Sequence, residues 1–193
     1  MKHREEESYK IILLGNSGTG KTSIIDRKRL GTTAPDLHPT IGCNSTDMVI
    51  NLKDKSVKLK VWDTAGQEEY KSIVPIYTRG AHAALLVFDV TDMSSIQSLD
   101  GWRSMLLESE PTEVPFFVVG NKIDMKSENT ISREIAQTYA TRYSADLYFV
   151  SALSGQGINE LFEKVAEKVS ERKSFEKDPA PKEVNHSNSG GCC

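Results

Sequence analysis

The sequence predicts a single α/β domain: a mostly parallel six-stranded sheet with one antiparallel edge strand and helices on both faces. Three observations point there. Short apolar runs alternate with helical stretches along the chain, the pattern of parallel strands joined by right-handed crossovers. The first apolar run ends on a glycine-rich turn that opens a helix. Two alternating segments, with Lys53-Asp54-Lys55 turning between them, form a hairpin and supply the antiparallel edge.

Taken in order, Tyr9 to Leu14 is a buried strand and Thr22 to Arg27 begins a helix. Gly31 to Pro39 carries the Gly, Thr, Pro and Asp of a loop. Thr46 to Leu52 and Val57 to Trp62 alternate as the two hairpin strands. Ala83 to Val90, Pro115 to Gly120 and Leu147 to Val150 read as further buried strands. Helices are expected over Ser95 to Ser109, Ser132 to Tyr143 and Ile158 to Arg172. The last places Ile158, Leu161, Phe162, Val165 and Val169 on one face. The organisation is then a charged extension over residues 1–8, a globular domain over 9–173 and a flexible, apolar-poor tail over 174–193.

Composition bounds the function. A chain of 193 residues can bury a core without disulfide or metal staples. A net charge of −3 leaves no basic footprint, so no nucleic-acid partner is expected. No apolar run approaches the ~20 residues of a membrane-spanning helix. The charged start, Met1 to Glu7, predicts no secretory signal, and Lys2 rules out N-myristoylation. Three cysteines, one alone at Cys43 and two at the end, make neither a disulfide framework nor a zinc site, and the chain reads as cytosolic.

Gly15-Asn16-Ser17-Gly18-Thr19-Gly20-Lys21-Thr22 matches the phosphate-loop pattern in the required strand–helix context. Glycines there let backbone N–H groups turn inward around an anion, and the helix that follows aims its positive end at the same place. Gly15, Ser17, Gly18, Thr19, Gly20, Lys21, Thr22 and Ser23 are therefore candidate phosphate ligands. Lys21 supplies a point charge and Thr22 a Mg²⁺-binding hydroxyl. The loop alone specifies a nucleotide but not which one.

Asn121-Lys122-Ile123-Asp124 follows a strand and makes that choice. The Asp124 carboxylate can accept from guanine's ring N–H and exocyclic amine together, whereas adenine leaves it unpaired. Asn121 would tie this loop to the phosphate loop, and the Lys122 stem would cover one face of the base. Ser151-Ala152-Leu153 closes the last strand, where the Ala152 N–H can reach the guanine carbonyl and Leu153 supplies apolar contact. Trp62 to Glu68 supplies the hydrolytic parts. Asp63 would hold Mg²⁺ through water, Gly66 would let its N–H approach the γ-phosphate, and Gln67 would orient the attacking water. Thr40 is the second Mg²⁺ hydroxyl.

In this order the motifs resemble the Ras-like small GTPases, and within them the Rab family, from about Tyr9 to Arg172 and again at the C-terminus. Thr40-Ile41-Gly42, the Trp62 to Glu68 segment, Tyr77-Thr78-Arg79-Gly80-Ala81 and the final Gly190-Gly191-Cys192-Cys193 carry the resemblance. It implies a P-loop G domain binding GTP or GDP with Mg²⁺, with Gln67 and Lys21 as the catalytic pair. Hydrolysis would be slow and would relax two switch segments held by Thr40 and Gly66. An exchange factor, a GTPase-activating protein and switch-reading effectors are implied as partners, together with a prenylation escort and a dissociation inhibitor. Two prenyl groups on Cys192 and Cys193 would anchor the chain to the cytoplasmic face of an intracellular membrane, leaving a cytosolic pool. The non-basic tail means the lipids must carry that affinity.

The sequence departs from the family at five places. Thr33 stands where relatives place a phenylalanine over the base, predicting faster nucleotide release. Lys28 replaces an apolar residue. Cys43-Asn44-Ser45 removes one effector-reading aromatic and leaves Trp62 and Tyr77. Leu153 replaces a lysine, and Leu37 lacks an aromatic hydroxyl. Competing readings are a binding-only pseudo-GTPase, a rapidly exchanging switch with little hydrolysis, a P-loop ATPase or kinase, and a structural scaffold.

Overall fold

The structure, a computed structural model, describes residues 8–33, 40, 42–65, 74–109, 114–125, 127 and 130–177. Gly66, Gln67, Leu37, Cys192 and Cys193 lie outside these residues, as do most of both terminal extensions.

Six strands form one sheet: β1 (Ser8–Leu14), β2 (Cys43–Asn51), β3 (Ser56–Thr64), β4 (Ala83–Asp89), β5 (Phe116–Asn121) and β6 (Asp146–Phe149). Their order is β2-β3-β1-β4-β5-β6. Only the β2–β3 pairing is antiparallel, which puts the hairpin on one edge as its alternation predicts. The parallel pairings run β3–β1–β4–β5–β6. The period of two divides the central strands between two cores. Ile11, Leu13, Leu85, Val87, Phe117 and Val119 face one side. Ile12, Leu14, Leu86, Phe88, Phe116 and Val118 face the other. Strands β4 and β5 are buried throughout, as continuous apolar runs in a doubly covered parallel sheet should be.

Helices α1 (Lys21–Leu30) and α6 (Ile158–Lys177) cover the first face; α4 (Leu99–Ser109) and α5 (Arg133–Arg142) cover the second. On α6, Leu161, Phe162 and Val165 are fully buried, each contributing roughly 1.5–3 kcal/mol relative to exposure. That helix continues to Lys177, beyond the Arg172 at which its apolar stripe fades. Ser132 caps α5 by accepting from the Ile135 N–H, a contact of a kind that contributes about 1 kcal/mol.

Two local expectations are corrected, and one element was not expected. The single helix expected from Ser95 is two: α3 (Met93–Gln97), capped by Asp92, and α4. Serine chemistry breaks it. The Ser95 and Ser98 hydroxyls bond back to the Asp92 and Ser95 carbonyls, and the Gly101 N–H closes a tight turn onto the Ser98 carbonyl. β6, expected to be buried, is half-exposed because it is the sheet's other edge. A short helix, α2 (Val74–Thr78), had no periodic signal of its own.

Candidate nucleotide site

The carboxyl ends of β3 and β5 and the segments that follow β1, β5 and β6 converge on one cavity of about 350 Å³. It runs from Ser17, Lys21, Thr22 and Thr40 at one end to Asn121, Asp124 and Leu153 at the other. This is where an open α/β sheet offers a crevice beyond its strands.

The loop between β1 and α1 is packed from behind. Gly15 sits at φ 147°, and a Cβ there would lie 2.1 Å from the Val87 carbonyl oxygen. Gly20 sits at φ 90°, where a Cβ would meet the Asn121 amide nitrogen at 2.2 Å. Only glycine allows both approaches. The start of α1 has no side-chain cap and no acidic residue in its first turn. Its first residue is a lysine, the wrong charge for a positive helix end. The local sequence thus gives up helix stability and leaves an anion-binding end open to the cavity. The Lys21 ammonium donates to the Gly15 and Asn16 carbonyls at 2.8 and 3.0 Å. Burial pulls its pKa down to about 8, against the opposing pull of the Asp63 carboxylate. Asn16 is fixed from the other side, its side-chain oxygen accepting from the buried Trp102 indole at 2.9 Å.

Thr22, Thr40 and Asp63 meet beside the lysine. Both hydroxyls donate to Asp63 Oδ2, at 2.6 Å from Thr22 and 3.2 Å from Thr40, and lie 2.9 Å from each other. Asp63 Oδ1 is buried without a hydrogen-bond partner. Burial holds the Asp63 carboxyl above the usual range, although the Thr22 hydroxyl and Lys21 pull it down. One carboxylate with two hydroxyls is an all-oxygen donor set that suits Mg²⁺, which keeps several waters of its own. Among the described residues no group of three or more His, Cys, Asp and Glu forms a metal cluster. The Thr22, Thr40 and Asp63 oxygens by themselves fit the cation expected from the sequence.

At the far end, Asn121 bridges three segments. Its amide donates to the Thr19 carbonyl at 2.9 Å, and its oxygen accepts the Ala152 N–H at 3.1 Å. The tie to the phosphate loop is as expected. The Ala152 N–H, however, is already engaged and must share with any purine carbonyl. Ser151 donates from its hydroxyl to Asp124, which faces solvent rather than a buried pocket. Lys122 adopts φ 69° and pairs with Asp89 at 2.6 Å. Asp89 tends upward through burial, but Lys122 and the Thr91 N–H and hydroxyl outweigh that and hold it below the usual range. Leu153 is 65% exposed at the cavity's rim. Ser23, Ser17 and Gly18 line the cavity too.

Sequence reasoning missed Asp89, Trp102, Met125 and Arg27. Asp89-Val90-Thr91 at a strand end is an Asx-turn pattern and was legible. Trp102 and Arg27 act on partners far away in the chain, and no local pattern marks them.

A P-loop, an aspartate at the end of β3 meeting two threonines, and an Asn–Lys–x–Asp loop bonded back to the P-loop define a guanine-nucleotide-binding α/β protein. The Ras family matches residues 10–171, and the chain belongs to that family as a Rab-like small GTPase. Similar proteins include Ras-related protein Rab-7a of Paramecium octaurelia, 31% identical over the full length of both chains. Ras-related protein Rab-7b of Bos taurus is 34% identical over 89% of this chain and 87% of its own. Ras-related protein Rab-21 of Mus musculus is 37% identical over 80% of this chain and 70% of its own.

Proposed function

We propose that the chain is a Mg²⁺-dependent GTP-hydrolysing switch that recruits effectors to a membrane in vesicular traffic. The observation that carries this reading is one cavity with the Thr22–Thr40–Asp63 convergence at one end and the Asn121-bridged Asp124 loop at the other. Lys21 and the loop from Gly15 to Thr22, with Ser23, grip the phosphates. Asn121, Lys122, Asp124, Ser151, Ala152 and Leu153 hold the base. Thr22, Thr40 and Asp63 hold Mg²⁺, which supplies charge neutralisation at the phosphates when bound. Gln67 positions water and Gly66 contacts the γ-phosphate. Slow intrinsic turnover follows from the lack of an evident arginine finger in cis, and an activating partner supplies one, worth ~10³–10⁵ in rate in the Ras and Gα examples.

Residues 9–173 form the G domain, flanked by the extension 1–8 and the tail 174–193. Cys192 and Cys193 carry two prenyl groups, enough for stable attachment to the cytoplasmic face of an organelle. No described helix is long and apolar enough to cross a membrane. Exchange factor, effectors, prenylation escort and dissociation inhibitor are the partners this cycle needs. Single-turnover assays with GTP and ATP test the reading, with Gln67→Leu as control. Slow, Mg²⁺-dependent GTP hydrolysis lost in the variant is expected. Preference for ATP, or hydrolysis unchanged by Gln67→Leu, overturns it. Tagged full-length protein should leave the membrane when Cys192 and Cys193 are removed; unchanged attachment refutes the anchor.

A second reading is favoured by Thr33, which leaves that wall of the base end without an aromatic face. It is a rapidly exchanging switch with little intrinsic hydrolysis, and GDP release as slow as in relatives with the aromatic would rule it out.

A further inference from the structure

The last turn of α1 carries a basic residue whose partners lie outside its helix. Arg27 donates through Nε to the Ala152 carbonyl at 2.6 Å and through Nη2 to the Leu153 carbonyl. Through Nη1 it donates to the Gly31 carbonyl at 2.6 Å. The same residue's backbone carbonyl accepts the Gly31 N–H at 3.0 Å, which closes α1. One planar guanidinium thus joins two strips of backbone. One leads from Gly31 to Thr33, which lines the cavity; the other, Ala152-Leu153, lines it as well. The Ala152 peptide is held from both directions, by Asn121 at its own N–H and by Arg27 at its carbonyl. Gly155, at φ 87°, packs beside the arginine, where a Cβ would be in ordinary contact with Arg27 Cδ at 3.5 Å.

Resting on the nucleotide reading above, we propose that Arg27 is a positioning residue that fixes both walls of the base end and thereby sets how fast nucleotide leaves. It touches no ligand itself. Its contribution is to keep the Ala152 N–H where a purine carbonyl can share it, and to keep the Gly31–Thr33 strip closed over the base. The wall at Thr33 is thin, so retention depends more heavily on the backbone frame than on side-chain cover. A fork of donors is required because the three carbonyls are separate acceptors. Lysine's single ammonium cannot span them in that geometry. Lys28, the next residue, bonds Asn159 at 2.7 Å on an exposed surface and reaches neither wall.

The test is GDP dissociation from the full-length, GDP-loaded protein, wild type against Arg27→Ala, Arg27→Lys and Lys28→Ala. Each is also loaded with 6-thio-GDP, whose thiocarbonyl is a poorer acceptor at the position the Ala152 N–H serves. Arg27→Ala should release GDP tenfold or more faster, equivalent to 1.4 kcal/mol. Its preference for GDP over 6-thio-GDP should shrink. Arg27→Lys should fall between, and Lys28→Ala should match wild type. The loss of the oxygen-over-sulfur preference is the readout that general loosening of the helix would not move. If Arg27→Ala proves too unstable to load, the Arg27→Lys comparison carries the same decision. Off-rates within twofold of wild type for both Arg27 variants, or an equal rise in Lys28→Ala, overturn the proposal and leave the nucleotide reading standing. A wild-type protein that retains no GDP overturns the nucleotide reading as well.

Discussion

The two ends of the cavity are built on opposite principles. At the phosphate end the charged groups are buried: Lys21 and Asp63, with Thr19, are nearly inaccessible, Gly15 lies against the Val87 backbone, and the exposed lip is Ser17 and Gly18. At the base end the buried residues, Asn121, Ser151 and Ala152, form a frame of hydrogen bonds to the main chain made by the Asn121 and Arg27 side chains, while the charged group, Asp124, faces solvent with Leu153 and Met125. The difference follows from what each end must hold. Phosphates carry charge, and charge is held best by fixed donors in a low-dielectric setting. A base carries hydrogen-bond pattern and an apolar face, which can be read at a rim by a few groups. A switch that must release its ligand can then loosen the base end without dismantling the buried one.

The largest expected effect tests the buried end. Lys21→Ala removes the buried ammonium of that end and should weaken GDP affinity by more than about 100-fold, read by equilibrium titration. A loss below threefold would mean the backbone amides alone grip the phosphates. Asp124→Ala tests the other end. It should erase most of the preference for GDP over ADP, with a loss of roughly 100-fold measured by competition, since the paired donors of guanine lose their acceptor. Retained preference would move the choice of base to Ala152.

Titration sharpens the contrast further. The Lys21 pKa is lowered to about 8 in the ligand-free protein by burial. Phosphate binding favours the charged form, so affinity is full well below that value and should fall about fivefold from pH 8 to pH 9 and about tenfold per pH unit beyond. Stability of the ligand-free fold runs the other way. Its lysine loses the proton before the unfolded chain's does, so the burial penalty, full below pH 8, is relieved between pH 8 and 10.5. Titrations of GDP affinity and of thermal midpoint across pH 7–9.5 check both signs. The smallest effect belongs to the thin wall. Thr33→Phe should slow GDP release about fivefold, from the ~1 kcal/mol an aromatic contact adds; no change would put the base out of reach of residue 33.

The phosphate loop and the Asn121–Asp124 loop were legible in the sequence because each is a contiguous run whose spacing is its mechanism. The six strands were legible for the same reason, from periodicity over neighbours. Where local hydrogen bonding competed with periodicity, at Ser95 and Ser98, the helix divided. Thr22, Thr40 and Asp63 could be named from their types, yet their meeting within about 3 Å needed the loop after α1 and the end of β3 brought together. Arg27 shows the limit most clearly. Its acceptors are main-chain carbonyls up to 126 residues away, and a carbonyl leaves no mark on the identity of the residue that bears it. The sequence by itself determined the ligand's chemistry, because side-chain type and local spacing encode it. The tertiary structure alone decided how firmly each end of the ligand is framed, because that rests on backbone groups that every residue shares.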